Sequence, residues 1–234
     1  MNMRYDDFTL IIPTLNEEKN IGRMLQKIAL LYPGMRIIVV DDGSTDSTRG
    51  IVGKVALNND NVVLLDRSGK RRGLTASVVE AMLKTRTKFI AVMDADFQHP
   101  VDKLRTLANR MHEGSDMAVA VRTDVKDWEL YRRIISRTLI KIGECVLYFN
   151  GDESCRDIFS GFFAVKRNLA TRIIERNRNR FVLEGYKVLF DMLKCMKRGS
   201  ARISEVPYAF GSRKEGKSKA SFVQGFAVLK SFFS

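Results

Sequence analysis

Phe89-Ile90-Ala91-Val92-Met93-Asp94-Ala95-Asp96-Phe97-Gln98-His99-Pro100 is an apolar run that stops abruptly on two carboxylates. Its first half reads as a strand over residues 89–94. Four more short β-branched runs, at residues 8–13, 36–41, 62–66 and 117–122, share the pattern. Amphipathic helices lie between them. Ile21, Leu25, Ile28 and Leu31 form one apolar stripe, and Leu104, Leu107 and Met111 another, at the three-and-four spacing that faces a sheet. Strand and helix alternating four times predict an α/β fold, a mostly parallel doubly wound sheet with right-handed crossovers. Such sheets bind ligands at the carboxyl ends of their strands.

Three of those ends are polar and acidic: Pro13-Thr14-Leu15-Asn16-Glu17, Asp41-Asp42-Gly43-Ser44-Thr45-Asp46, and Asp94 through Pro100. Side chains alternate along extended chain, which puts Asp94 and Asp96 on one side. Two hard oxygen ligands there can hold Mg²⁺ or Mn²⁺, with a diphosphate and water completing the shell. Gln98 adds a carbonyl oxygen if the extended path continues. Asp-x-Asp is a weak signal by itself, because a strand-end turn with a capping Asp looks the same. Asp41 and Asp42 carry the same ambiguity: Asp42-Gly43 is good turn chemistry, Ser44 or Asp46 can cap the next helix, and a carboxylate there can equally bind a base or ribose.

After Arg122 the pattern changes. A helix is expected over residues 128–149, with Ile135, Leu139, Ile142, Val146 and Phe149 on its stripe. An irregular segment at 150–157 and a strand at 162–165 follow. A helix with Tyr186, Leu189, Leu193 and Met196 then precedes a strand at 203–207. The chain closes with a basic loop, 212–219, and a tail with Phe222, Phe226, Leu229 and Phe233 on one helical face. Neither an internal repeat nor a Pro- or Ser-rich linker interrupts it, so one domain is expected.

Composition narrows the classes. The 234 residues are 45% hydrophobic, with 16 Gly, 4 Pro and a net charge of +13, which excludes a disordered or collagenous chain. Cys145, Cys155 and Cys195 show no Cys-x-x-Cys spacing and read as buried thiols of a reducing, cytosolic protein. Residues 1–7 lack the form of a signal peptide, and no run reaches the ~18 apolar residues of a membrane span. His99 and His112 have no His or Cys partner at zinc-ligand spacing. A Gly-x-Ser-x-Gly elbow, a P-loop and a dinucleotide fingerprint are all missing. The positive charge suits nucleic acid, an anionic membrane face or phosphorylated substrates. A basic RNA-binding module would leave Asp94, Asp96 and Gln98 unexplained, so no nucleic-acid partner is expected. The loops Lys70-Arg71-Arg72-Gly73 and 213–219 read as solvated surface or as phosphate grips beside flexible Gly.

In order, Ile12-Pro13-Thr14-Leu15-Asn16-Glu17-Glu18, Val40-Asp41-Asp42-Gly43-Ser44-Thr45-Asp46, Met93 through Pro100, Asp157-Ile158-Phe159-Ser160-Gly161-Phe162, and Glu205-Val206-Pro207 followed by Arg213 and Gly216-x-Ser218-Lys219 resemble the inverting family 2 glycosyltransferases of GT-A fold. Within them, the dolichol-phosphate (polyprenyl-phosphate) mannosyltransferases are the group most resembled. The resemblance runs from Phe8 to Lys219. It implies a Rossmann-like sheet with C-terminal acceptor-side helices: a domain over 1–220, with a nucleotide half at 1–122 and an acceptor half at 123–220. The amphipathic tail, 221–234, then lies against a membrane or begins a truncated membrane region.

By the same resemblance Pro13, Asn16, Glu17 and Asp41 line the nucleotide pocket with Asp42 beside it, and Asp94, Asp96 and Gln98 bind the metal and the sugar nucleotide. Arg122 and one of Arg133 or Arg137 approach the donor and acceptor phosphates, while Arg213 and Lys219 belong to a loop closing over the diphosphate. Asp94, Asp96, Asp157 and Arg213 form the implied catalytic set. The implied reaction transfers a hexose, mannose from GDP-mannose foremost, to a polyprenyl phosphate at the cytoplasmic membrane face, with Mg²⁺ or Mn²⁺ and in some members small membrane subunits. UDP-glucose or a UDP-N-acetylhexosamine is the alternative donor, and a hydroxyl the alternative acceptor. A phosphate acceptor is already anionic and needs no strong base; Asp157 orients it, or serves as base for a hydroxyl. Two residues depart from the family pattern: Phe163 where Arg usually follows Ser-Gly-Phe, and Leu15 where Tyr is commoner.

Overall fold

The computed structural model describes residues 5–124, 130–185 and 187–211, with the side chains of 124 and 130–133 outside that set. Its strands are β1 (Phe8–Thr14), β2 (Arg36–Asp41), β3 (Val62–Asp66), β4 (Phe89–Val92), β5 (Met117–Asp124), β6 (Phe163–Lys166) and β7 (Ile203–Ala209). The helices are α1 (Ile21–Leu31), α2 (Thr48–Leu57), α3 (Leu74–Lys84), α4 (Lys103–His112), α5 (Leu130–Phe149), α6 (Arg167–Arg176) and α7 (Val188–Leu193). The strands form one sheet in the order β3-β2-β1-β4-β6-β5-β7. Pairing is parallel except for β6, which runs antiparallel to both β4 and β5.

The sheet is buried on both faces because period-two alternation sorts its side chains. Leu10, Ile12, Ile37, Val39, Phe89 and Ala91 pack with α1 and α4 on one face, where Ile21, Leu25, Ile28, Leu104, Leu107 and Met111 meet them. Ile11, Val40, Ile90 and Val92 point to the other, against Val78 and Met82 of α3, Ile173 and Ile174 of α6, and Leu189 of α7. Each of the Val, Leu, Ile, Phe and Met side chains among them contributes about 1.5–3 kcal/mol by leaving water.

Register then places the site. Thr14 pairs with Asp41 and Asp41 with Asp66, so β1, β2 and β3 end on one rim. Val92, the last residue of β4, lies opposite Ile11. The strand order reverses between β1 and β4, and the crevice at that switch is where open α/β sheets take ligands.

Several expectations shift. β4 ends at Val92, two residues early, and Met93 leaves the ladder with only its N–H bonded to the Ile11 carbonyl. α7 is a six-residue helix, with Met196 buried in the turn beyond it. In α5 the predicted stripe divides: Leu139 and Val146 pack on the core, while Ile135, Ile142 and Phe149 are exposed, Phe149 by 83%. Cys155 is buried as expected, but Cys145 is exposed on α5 and Cys195 only half-buried. Trp128, Tyr186, the 212–219 loop and the Phe222/Phe233 tail lie outside the described residues.

Candidate active site

The β1 and β2 ends are fastened to each other. Asp41 is fully buried; its carboxylate accepts bonds from Ser44 N at 2.8 Å, Ser44 Oγ at 2.5 Å and Thr14 Oγ1 at 3.2 Å, with the Arg49 guanidinium 3.8 Å away. Asp41 therefore shapes the turn, in which Gly43 takes φ +85°. Asn16, exposed and at φ +53°, receives Thr45 N on Oδ1 at 2.8 Å and donates its own N–H to Ser44 Oγ at 2.8 Å. Glu17 N–H donates to Thr48 Oγ1, and the Glu18 carboxylate accepts Ser47 N. Neither Ser44 nor Asp46 is the N-cap of α2: that position is Ser47, Asp46 just before it accepts Thr48 N at 3.0 Å, and the Ser44 hydroxyl is held by Asp41. Pro13 is half-buried opposite Val40. The predicted nucleotide-side residues Pro13, Asn16, Glu17 and Asp41 are thus neighbours on one rim.

Asp42 has a different partner set. It pairs with Arg67, which also bonds Ser77 Oγ, Glu80 and the Arg71 carbonyl, and it accepts Gly73 N at 2.7 Å. Burial raises the Glu80 carboxyl, but hydrogen bonds from Lys70 and Arg67 hold it below the ordinary range. Arg71 pairs with Glu184, and Arg72 Nη2 donates to the Gly43 carbonyl at 3.1 Å. The basic loop is thereby drawn onto the rim.

At the end of β4 the backbone is irregular. The extended path that would carry Gln98 in line with Asp94 and Asp96 breaks at Phe97, whose φ is +61°, a costly conformation for a bulky residue. Asp94 keeps 39% of its side chain exposed and meets His99 Nε2 at 3.3 Å. His99 Nδ1 in turn meets the Tyr208 hydroxyl at 2.8 Å. Burial drives the Tyr208 phenol well above its ordinary range, so it stays a neutral partner. Asp96 is buried and accepts Gln98 N at 3.0 Å. Gln98 Nε2 donates to the Gly211 carbonyl at 3.3 Å, and Gly211 N returns a bond to Gln98 O. A Cβ at Gly161 would come within 3.1 Å of Asp94 Oδ2, so glycine there lets the backbone lie against the carboxylate.

From the second half of the chain Asp157 accepts three bonds from Arg122, from its backbone N at 3.2 Å, Nε at 2.7 Å and Nη2 at 2.8 Å. Burial disfavours the guanidinium charge, but the hydrogen bond and charge of Asp157 outweigh it and hold Arg122 above its ordinary value. The Phe210 ring lies 5.5 Å from that guanidinium. Lys187, just before α7, points its Nζ at the Phe159 carbonyl, 3.4 Å away, and lies over the Phe159 ring. Burial, then repulsion from Arg122, lowers it to about 7, against the opposing pull of Asp157 and Asp94.

The structure therefore gathers Asp94, Asp96, Gln98, Arg122 and Asp157 about the β4 and β5 ends. Arg137 is exposed on α5 and lines a groove of about 720 Å³ with Thr138, Lys141, Ile142, Val146 and Phe149, which includes none of the rim carboxylates. Arg213, Lys219 and the Arg133 side chain lie outside the described residues. Sequence reasoning missed three participants. Arg67 carries no local signal, His99 reads in sequence only as a candidate zinc ligand without a partner, and Lys187 falls inside a predicted helix with nothing to set it apart from other surface cations.

Among the described residues no group of three or more His, Cys, Asp or Glu side chains converges to hold a metal by itself. Asp94 and Asp96 provide the two-carboxylate donor set of a hard divalent ion whose remaining ligands come from a diphosphate and water.

A Rossmann-like sheet with a paired-carboxylate rim at its switch point defines a GT-A glycosyltransferase. The chain matches the family described as "Glycosyl transferase family 2" over residues 9–174 and belongs to that family. It is 31% identical over 231 residues to the dolichol-phosphate mannosyltransferase of Pyrococcus furiosus, covering 96% of this chain but 62% of that protein. It is 29% identical to the dolichol-phosphate mannosyltransferase of Saccharomyces cerevisiae (97% and 87% covered), and 28% identical to the polyprenol monophosphomannose synthase of Mycolicibacterium smegmatis (91% and 80%). Among solved structures, glucosyl-3-phosphoglycerate synthase from Mycobacterium tuberculosis in complex with uridine diphosphate superposes with a TM-score of 0.67 at 18% identity, over 97% of this chain and 78% of that one. That likeness establishes the fold.

Proposed function

We propose that this chain transfers mannose from GDP-mannose to a polyprenyl phosphate, with inversion, at the cytoplasmic face of a membrane. The observation that carries the reading is that relatives from an archaeon, a yeast and a bacterium, each matched over more than nine-tenths of this chain, are all named for mannosyl transfer to dolichol or polyprenol phosphate. The site supports it. The β1 and β2 rim, with Asn16, Glu17, Asp41 and Asp42, takes the nucleotide. Asp94 and Asp96 would hold Mg²⁺ or Mn²⁺ beside the diphosphate, with Gln98 adjoining, and the ion supplies neutralisation of the leaving group when bound. His99, braced by Tyr208, fixes the orientation of Asp94.

The phosphate acceptor attacks as an anion, so no residue has to remove its proton. Asp157 fits this chemistry as an orienting group: with three N–H bonds from Arg122 it holds that guanidinium along the acceptor side. Arg213 and Lys219 are given to the diphosphate by family resemblance alone. Among the described residues no helix is long and apolar enough to cross a membrane. The exposed Ile134, Ile135, Ile142 and Phe149 of α5, beside Arg137 and Lys141, support contact with an anionic bilayer surface.

The test incubates the protein with polyprenyl phosphate, Mn²⁺ and, separately, labelled GDP-mannose, UDP-glucose and UDP-N-acetylglucosamine, and counts label entering organic solvent. Lipid-borne label from GDP-mannose, lost in Asp96→Ala, is expected. Transfer from a UDP-sugar instead would overturn the donor assignment, and transfer from none would overturn the acceptor.

A further inference from the structure

The loop between β3 and α3, residues 67–73, carries a basic run that the reaction above leaves unused, and one carboxylate clasps it at both ends. Asp42 Oδ1 meets Arg67 Nη1, while Asp42 Oδ2 accepts Gly73 N at 2.7 Å. Arg67 is deeply set, with 5% of its side chain exposed. Its backbone N–H donates to the Asp41 carbonyl at 2.9 Å, so the loop starts from the β2 end itself. The guanidinium then uses all three nitrogens. Nη1 also donates to Ser77 Oγ at 2.8 Å, Nε to Glu80 at 3.1 Å and Nη2 to the Arg71 carbonyl at 3.1 Å. The loop folds round this group: Lys70 N returns to the Arg67 carbonyl at 3.0 Å, and Lys70 Nζ reaches the same Glu80 at 2.7 Å. Arg72, which is exposed, comes to lie on the Gly43 turn, giving the Gly43 carbonyl one of its five N–H donors at 3.1 Å.

We infer that Arg67 is a positioning residue for the donor nucleotide: its buried fork fixes the Asp42 carboxylate and sets the 70–73 loop, with Arg72, across the β2 end. This rests on the reading above that the β1 and β2 rim takes the nucleotide. Stability alone does not call for a guanidinium here. Burying one beside Asp42 and Glu80 costs desolvation, and well-packed apolar side chains commonly match such buried pairs in stability. An apolar chain cannot hold Asp42, Glu80 and the Arg71 carbonyl in three fixed directions at once. The planar guanidinium does so, whereas lysine, a point charge on a flexible stem, reproduces it only in part. Arg67 acts through Asp42 and the loop rather than by touching the nucleotide.

The full chain is compared with Arg67→Met, Arg67→Lys, Asp42→Asn and the double variant Arg67→Met/Asp42→Asn. Wild type is titrated calorimetrically with GDP and with UDP in the presence of Mn²⁺, and the variants with whichever binds. The dissociation constant should rise about 10–100-fold in Arg67→Met and by less in Arg67→Lys, with the donor KM following it and the acceptor KM within about twofold. Since the two residues act as a unit, the double variant should bind within about threefold of the weaker single variant. Equal losses for donor and acceptor, or effects that multiply in the double variant, would overturn the assignment. Arg67→Lys keeps the cation and decides the matter should Arg67→Met not fold. Its amide hydrogen exchange should quicken over residues 67–76 and not in β1 or β4; quickening throughout the sheet would mean general loosening and overturn the positioning role. A wild type that binds neither nucleotide would refute the nucleotide reading of the rim, and this inference with it, whereas wild-type binding with unchanged affinity in both Arg67 variants would refute the role of Arg67 alone.

Discussion

Gly73→Ala should destabilise the protein by about 2–4 kcal/mol. A Cβ built at Gly73 would lie 2.0 Å from the Leu183 carbonyl oxygen, 2.8 Å from Glu184 Cα and 2.9 Å from Leu183 C. All three are backbone atoms, so no side chain can swing aside. Relief requires the 183–185 segment to retreat by more than an ångström, and that segment is tied here by Ala76 N to Leu183 O at 3.1 Å and Thr75 N to Gly185 O at 3.0 Å. Overpacking of this kind costs about 1–3 kcal/mol and a lost backbone bond about 1 kcal/mol more. For a chain of this size the melting temperature should fall by about 5–15 °C. Because Gly73 N also bonds Asp42, nucleotide affinity should weaken in the same variant. Gly53→Ala is the control: Gly53 sits inside α2 with nothing within 4 Å of the added carbon, and helix propensity should stabilise it by up to about 1 kcal/mol. Thermal unfolding by circular dichroism reads both. A Gly73→Ala protein melting within about 2 °C of wild type would refute the close-approach argument.

Tyr208→Phe removes the hydroxyl that meets His99 and should weaken apparent Mn²⁺ affinity about tenfold without a change in fold; an unchanged metal titration would show that the Asp94–His99–Tyr208 chain has no part in orienting the ligand. The pH dependence of stability carries a sign fixed by Lys187. Its pKa falls from 10.5 to about 7 on folding, so above pH 7 the unfolded chain binds the extra proton and stability should rise with pH. The Cys155 and Cys195 thiols, pushed up to about 12 and about 11 by burial, oppose this once the pH passes their unfolded value of 9.0. The comparison therefore belongs between pH 7 and 9. Urea unfolding should show a positive slope in wild type that is smaller in Lys187→Met, and equal slopes would contradict the burial of this amine.

The rim was legible because strand periodicity and its polar stops are local properties. Each of the five runs before Arg122 became a strand, and Asp41, Asp42, Asp94 and Asp96 stand at strand ends where the pattern put them. What escaped the sequence is non-local. Arg67 reaches Asp42 across 25 positions and Arg122 reaches Asp157 across 35, and no spacing rule links such pairs. The turn at Phe97 escaped for another reason. Strict alternation assumes extended chain, whereas tertiary packing here holds a bulky residue in the left-handed region. The α5 stripe was half right, since a 3.6-residue period marks an apolar face but not whether the fold supplies a partner for all of it.

The antiparallel strand β6, lodged between β4 and β5, bears on how the molecule is made. Both sheet neighbours of β5 come later in the chain: β6 begins at Phe163 and β7 at Ile203. As the polypeptide leaves the ribosome, β1 to β4 can assemble as soon as they emerge, but β5 has nowhere to pair for another forty residues. Meanwhile β4 shows an open edge to the solvent. The rim at the ends of β1 and β2 is thus formed early, and the β4–β5 gap is closed later, by a strand inserted rather than appended. The division of the chain expected at residue 122 does not mark a folding boundary.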